Sequence, residues 1–257
     1  LIGFISPDKM GLILGDLIGR FFSSTTNIFH ALKSDSIYFK RIQVKKIYKI
    51  KDKFKDFPKY LLPDQLVNHL SGSIHVFLIG PFFGNEELGY LAVSASLLTL
   101  PVSVITASVK DVFRQRATQI FNETGNCREF YLKSLKWVFL ISLLIFIPLY
   151  FLVPSLFTFF LGEQWLKAAI YSQILMPYYI TNFVSMSLVG ILIVANKMKF
   201  SFYWQLLNLI VSFICLFVGI IVYDDFTTTL YIYMIGRSLV YVAYIFLSYY
   251  FSKKIYN

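Results

Sequence analysis

The sequence predicts an all-α integral membrane protein, a multispanning helix bundle, from three observations. Mean hydropathy is +0.64, and 57% of residues are hydrophobic against 15% charged, far from the usage of a soluble domain. Seven segments are each about 20 or more largely apolar residues long, the length that crosses a hydrocarbon core of roughly 30 Å. Of 24 Lys and Arg, 20 fall into four clusters that alternate with short acidic connections. Backbone groups cannot go unpaired in lipid, so the spans are expected as helices. The alternating strands of a membrane barrel have no counterpart here.

The charge pattern sets the orientation. The basic clusters are Lys33 to Lys59 with ten charges, Lys110 to Lys136 with six, Lys197 with Lys199, and Lys253 with Lys254. The alternate connections carry Glu86 and Glu87, Glu163, and Asp224 with Asp225, with Lys167 as their only positive charge. Under the positive-inside rule the basic clusters are cytoplasmic. The net charge of +10 therefore marks helix ends rather than a nucleic-acid footprint.

The first span, Met10–Leu32, enters from outside. Its Asp16, Arg20, Ser23 and Asn27 step by four, three and four residues along one helical face, and Asp16 and Arg20 can pair at i, i+4. The 27-residue stretch from Lys33 to Lys59 reads as a basic cytoplasmic linker. Its run Lys40 to Lys49 interleaves charge with apolar residues and is suited to an anionic leaflet. Six further spans follow: Leu61–Phe82, Leu88–Val109, Leu135–Leu161, Ala168–Ala195, Phe200–Val222 and Thr227–Phe251. Their division is a last helix of one lobe (residues 1–32), the linker (33–59) and a six-helix lobe (60–257).

Ionisable residues at membrane depth cost about 2.5–3.5 kcal/mol each on insertion scales, so they turn towards protein or a watery cavity. The second span repeats the spacing of the first, with Asp64, Asn68, Ser71 and His75 on one face. Milder stripes are Ser96, Thr99, Ser103 and Thr106, and then Gln205, Asn208 and Ser212; such residues also simply bond helices together. The last span carries Arg237 near its middle, with Tyr233 and Tyr241 a turn to either side. An arginine at that depth calls for an anion, either a carboxylate on another helix or a ligand phosphate. Trp137 and Trp204 fall at expected inner boundaries and Trp165 at an outer one. Pro101, Pro148, Pro154 and Pro177 lie within spans and are expected to kink them. Cys127 in a loop and Cys215 inside a span are not placed to form a disulfide, and no Cys/His spacing suggests a metal site.

A family resemblance rests on motifs in a fixed order. Phe82-Phe83-Gly84-Asn85-Glu86-Glu87-Leu88-Gly89-Tyr90 joins two spans, and Leu100-Pro101-Val102-Ser103 lies inside the next. Val112-Phe113-Arg114-Gln115-Arg116-Ala117 closes that span, and Leu161-Gly162-Glu163-Gln164-Trp165 makes a later outer turn, with Leu161 in place of the usual aromatic. From Pro58 to Trp165 this order resembles the polysaccharide repeat-unit flippases of the multidrug/oligosaccharidyl-lipid/polysaccharide exporter superfamily; the later helices match by hydropathy alone.

The resemblance implies two six-helix lobes across a central cavity, of which this chain is expected to hold the C-terminal one, with the earlier helices missing. It implies no enzyme but a transporter of an undecaprenyl-diphosphate-linked oligosaccharide in a bacterial inner membrane, in O-antigen, lipopolysaccharide or capsule synthesis, with a cytoplasmic C-terminus. The substrate cavity then draws on Asp16, Arg20, Asp64, Asn68, Ser71, His75, Gln205, Asn208 and Arg237. The arginines would screen the diphosphate, and the amides, hydroxyls and tyrosines would bond sugars. No cofactor is implied, though Asp16, Asp64 or His75 offers a point of coupling to H+ or Na+. The partners are the bilayer, the lipid-linked oligosaccharide and polymerase machinery. A cation-coupled multidrug antiporter and a peptidoglycan-precursor flippase share the expected fold and stay open as alternatives. A glycosyltransferase or polymerase needs larger outer loops than connections such as Gly84 to Leu88 provide.

Overall fold

In a computed structural model, residues 9–34 and 57–253 are described. The run Lys40 to Lys49, Lys254 and the side chain of Asp16 lie outside the described residues. The chain divides into two compact units, residues 1–55 and 56–257. The described residues of both units are almost wholly helical.

In the first unit, α1 spans Lys9–Ser34. It forms where the first crossing is expected, but it is not among the helices long and apolar enough to cross a membrane. The polar run Ser23 to Asn27 dilutes its hydrophobicity. Thr25 and Thr26 tuck their hydroxyls back onto the carbonyls of Phe21 and Phe22, each at 2.8 Å, which keeps them from competing with the helix.

The second unit holds α2 (Leu62–Thr124), α3 (Arg128–Leu161), α4 (Leu166–Ser187), α5 (Gly190–Val194), α6 (Met198–Val218) and α7 (Phe226–Tyr250). Five helical stretches here are long and apolar enough to cross a membrane. The first, Pro58–Thr124, has 67 residues, about 100 Å at 1.5 Å per residue, far more than one crossing needs. It breaks at Gly84, whose φ of 88° and ψ of 168° are accessible essentially to glycine alone. Two crossing-length arms result, so helices cover the six segments expected to span in this unit, the first two as arms of α2. The expected span Ala168–Ala195 is also interrupted: α4 ends at Ser187 and the short α5 resumes at Gly190. By contrast, Pro148, Pro154 and Pro177 lie inside continuous helices.

Local chemistry sets the helix ends. The helical stretch that continues into α2 opens at Pro58, where a missing N–H is harmless. Gly125, at φ 67°, closes α2 by donating its N–H to the Phe121 carbonyl over 2.9 Å. Asp225 caps α7, its carboxylate accepting from the Thr228 N–H over 2.7 Å.

The second unit is organised around α4, which packs on α2, α3 and α7, while α6 packs on α2 and α7. Accordingly half of the apolar stretch of α4 is buried, against 22% for α3. The outer face of α3 exposes Leu144, Phe151, Phe159 and Phe160, a surface suited to lipid rather than water.

The basic segments converge on one end. Lys199 lies over Tyr60, Lys197 lies over Phe251, and Asn126 pairs with Lys253. Cys127 joins this end as well, its N–H and thiol both directed at the Ser252 carbonyl, at 2.9 and 3.1 Å. Burial pushes the Cys127 thiol up to about 11, leaving it protonated and unreactive. Cys127 and Cys215 are both free thiols. The acidic connections meet at the other end. There Glu87 pairs with Lys167 and accepts from the Tyr171 hydroxyl at 2.5 Å, and Tyr90 packs edge-on against Trp165. Alternation of charge along the sequence thus becomes polarity between two ends of a bundle.

Candidate functional site

The candidate site is a polar ladder buried between α2, α6 and α7. On α2 the rungs are Asp64, Asn68 and Ser71, and on α6 they are Ser201, Gln205, Asn208 and Ser212, spaced by the same four, three and four residues. The stripes meet in register. Ser201 donates its hydroxyl to the Asp64 carboxylate over 3.1 Å, and Gln205 donates its amide to Asn68 over 3.0 Å. Both pairs are separated by 137 positions. A constant offset means that the first arm of α2 and α6 run parallel, each beginning at the basic end.

Arg237 of α7 closes the ladder. It is 2% exposed. Nη1 donates to the Ser71 carbonyl at 2.9 Å and hydroxyl at 3.2 Å, to Ser212 at 3.1 Å and to Tyr233 at 3.3 Å. Nη2 donates to Tyr178 at 2.9 Å and to Tyr241 at 3.1 Å. The guanidinium also lies over the rings of Tyr178, Tyr233 and Tyr241, 4.9 to 5.6 Å from their centroids, where the negative ring faces attract a cation. Four helices are therefore tied to one side chain.

Among the described residues the acceptors of Arg237 are a carbonyl and hydroxyls, all neutral. The sequence calls for an anion at this position; the fold instead surrounds it with hydroxyls, a carbonyl and aromatic faces. This compensates desolvation without cancelling the charge. The satisfaction is incomplete. Arg237 Nε and both amide ends of the fully buried Asn208 have no hydrogen-bond partner among the described residues.

Of the nine candidate residues, the structure brings Asp64, Asn68, Ser71, Gln205, Asn208 and Arg237 into one column. His75 lies a turn beyond Ser71 and is half-buried. Asp16 and Arg20 belong to the first unit; Arg20 is exposed and lines a shallow depression with Gly15, Gly19, Ser23 and Ser24. Sequence reasoning missed Ser201 and Tyr178. Ser201 extends the α6 stripe by one turn, a signal that was readable. Tyr178 sits beside Pro177 on α4 with no periodic partner to single it out. Trp204 lies in the second turn of α6, near the basic end; it is buried and donates its indole N–H to the Val240 carbonyl over 3.1 Å, because its helix face is the one that carries the ladder.

A ladder of this kind holds a fixed positive charge near the middle of α7, in one column with a carboxylate near the basic end. Among the described residues no three His, Cys, Asp or Glu side chains are grouped to hold a metal ion.

Comparison with known proteins gives two matches. The family described as "Polysaccharide biosynthesis protein" matches residues 8–170. The teichuronic acid biosynthesis protein TuaB of Bacillus subtilis (strain 168) is 28% identical over 152 residues, which is 59% of this chain and 32% of that protein. The chain thus matches about a third of the length of this curated relative. No solved structure matches significantly.

Proposed function

This chain belongs to the polysaccharide biosynthesis protein family, and on that premise we propose that it forms part of a flippase for a lipid-linked oligosaccharide. The cargo is a sugar repeat unit carried on a polyprenyl diphosphate, moved across a bacterial inner membrane by alternating access, with the basic ends and the C-terminus in the cytoplasm. The protein is a transporter rather than an enzyme on this reading.

The observation that carries the reading is the uncompensated charge of Arg237. A cation held at membrane depth among neutral acceptors, with the ladder's one carboxylate about two turns away at Asp64, keeps its own end of the column positive, and in a low-dielectric medium that field extends beyond contact distance. It attracts a diphosphate headgroup and repels the cationic cargo of a multidrug antiporter. Arg237 acts through this field, since its own cage encloses it. Ser71, Gln205 and Asn208 form the frame, and the half-buried Asn68 and His75 are the members of the column nearest to a cargo path. Asp64, the one carboxylate of the ladder, is the candidate for coupling to H+ or Na+.

The test is transport by the full-length protein in proteoliposomes. A fluorescent lipid-linked oligosaccharide with its diphosphate should cross, and Arg237→Gln should slow it at least tenfold while uptake of a cationic dye stays at background. Dye export by the native protein, with no movement of the diphosphate lipid, would replace the flippase by the antiporter.

A further inference from the structure

A cleft of about 480 Å³ opens on the surface of the second unit between the second arm of α2 and the start of α3. It belongs neither to the ladder nor to the Arg237 cage. Arg116 of α2 and Lys133 of α3 line it near the basic end; Val112, Trp137 and Ile141 line it further in, and the buried Leu188 forms part of its floor.

The two walls carry the same gradient. On α3, Lys133, Trp137 and Ile141 succeed one another at four-residue spacing, which stacks them on one face while advancing about 6 Å per step. On α2 the order runs backwards, Arg116 and then Val112, because that arm ends at the basic end where α3 begins. Each wall therefore passes from a cation, at the level where headgroups lie, to apolar side chains at the level of acyl chains. Trp137 is 59% exposed and sits at the junction, where an indole favours the interface. Among the described residues neither Arg116 nor Lys133 forms an ion pair.

We propose that this cleft is a binding site for an anionic phospholipid of the surrounding leaflet, its phosphate held between Arg116 and Lys133 and one acyl chain lying along Val112, Trp137 and Ile141. Charge complementarity selects the occupant. Two cations at the rim favour an anionic over a zwitterionic headgroup, by about fivefold per cation at a membrane surface. The site rests on the reading that the basic ends lie at an anionic leaflet, and thiol labelling of Lys133→Cys from either side tests that reading separately.

Trp137 supplies the readout. The full-length protein is placed in vesicles containing brominated phosphatidylglycerol or brominated phosphatidylcholine, and the quenching missing from Trp137→Phe is assigned to Trp137. Because both leaflets contain the quencher, orientation does not enter the result. Half-maximal quenching is expected at a mole fraction of phosphatidylglycerol at least fivefold lower than of phosphatidylcholine. Lys133→Ala or Arg116→Ala should erase about fivefold of that preference, and Lys133→Arg should retain it. Equal quenching by the two lipids, or a preference untouched by either alanine, overturns the proposal. So does displacement of the quencher by a polyprenyl diphosphate at lower mole fraction than by unbrominated phosphatidylglycerol, which would make the cleft an entry point for cargo. Val112→Trp, an exposed change that fills the cleft, should abolish the preference even if an alanine variant folds poorly.

Discussion

Arg237 Nη1 donates to both the carbonyl and the hydroxyl of Ser71, at 2.9 and 3.2 Å, across a separation of 166 positions. The last helix of the bundle is thereby fastened to the first arm of α2 through a group that cannot lose its charge. A carboxylate in place of Ser71 would neutralise the guanidinium. A hydroxyl and a carbonyl hold it while leaving the charge to act on whatever lies beyond the cage.

Arg237 should therefore serve stability as well as transport. Arg237→Ala removes the centre of a six-bond cage and opens a cavity, so a loss of about 2–5 kcal/mol is expected. Export of surface polysaccharide should fall with it. Arg237→Lys keeps the charge but lacks the fork that reaches both Ser71 and Tyr178, so it should lie between alanine and the native protein in both measures. Thermal denaturation in detergent, read beside export in cells, checks this. An alanine variant as stable as the native protein would show that the cage does not hold the helices.

The register of the ladder predicts a specific coupling. Asn68→Ala and Gln205→Ala each remove one partner of the same 3.0 Å bond, so the double variant should be more stable than additivity of the singles allows. Interhelical hydrogen bonds in membranes average about 0.6 kcal/mol and reach about 1.7, which sets the expected size. Asn68→Ala with the distant Ser142→Ala should be additive. Coupling energies within 0.3 kcal/mol of zero for the first pair would mean that the helices are not in register as described.

Much of this site was legible in the residues. The four-three-four spacing of Asp64, Asn68, Ser71 and His75 marks one helix face whatever surrounds it, and Gln205, Asn208 and Ser212 mark another. Their pairing was not legible, because periodicity fixes which residues share a face but not which faces meet. The constant offset of 137 positions becomes meaningful only when α2 and α6 are seen to run parallel. The fate of Arg237 was illegible for a related reason. Its depth was clear from hydropathy, but a guanidinium among tyrosines from α4 and α7 looks, in sequence, the same as one facing a cavity. The break of α2 at Gly84 could be read from the turn motif, whereas the interruption between Ser187 and Gly190 has no proline or charge to announce it.

The crossing of α6 and α7 predicts a suppressor. A Cβ built on Gly236 would lie 2.3 Å from the Cys215 sulfur, with the next contacts at 3.4 and 3.6 Å. Gly236→Ala should thus destabilise the bundle by about 1–3 kcal/mol through overpacking. Cys215→Ala removes the clashing sulfur and leaves only ordinary contacts, so Gly236→Ala should be close to neutral in that background. Chemical denaturation of the four combinations measures the coupling. Equal cost of Gly236→Ala in both backgrounds would place the close approach elsewhere.

The cap on α7 predicts a pH dependence. The Asp225 carboxylate accepts from the Thr228 N–H at 2.7 Å, and hydrogen bonds from the Thr228 side chain first and from this N–H second lower its pKa below the ordinary carboxylate value. A depressed pKa in the folded state means that the charged form is the stabilising one. The contribution is therefore complete at pH values above the unfolded pKa, about 3.9, and is lost as pH falls through the lower folded value. Asp225→Ala should cost about 0.5–1 kcal/mol at neutral pH, the lower part of the range for caps, because the site is exposed to solvent. Asp225→Asn can still accept the bond but carries no charge, so it should recover most of that loss and show no such titration. Stability of the three proteins measured from pH 7 into acid below the unfolded pKa checks the sign: the native protein should fall towards the asparagine variant, which like the protonated carboxyl is a neutral acceptor, and an advantage over it that widens in acid would rule out the charged carboxylate as the cap.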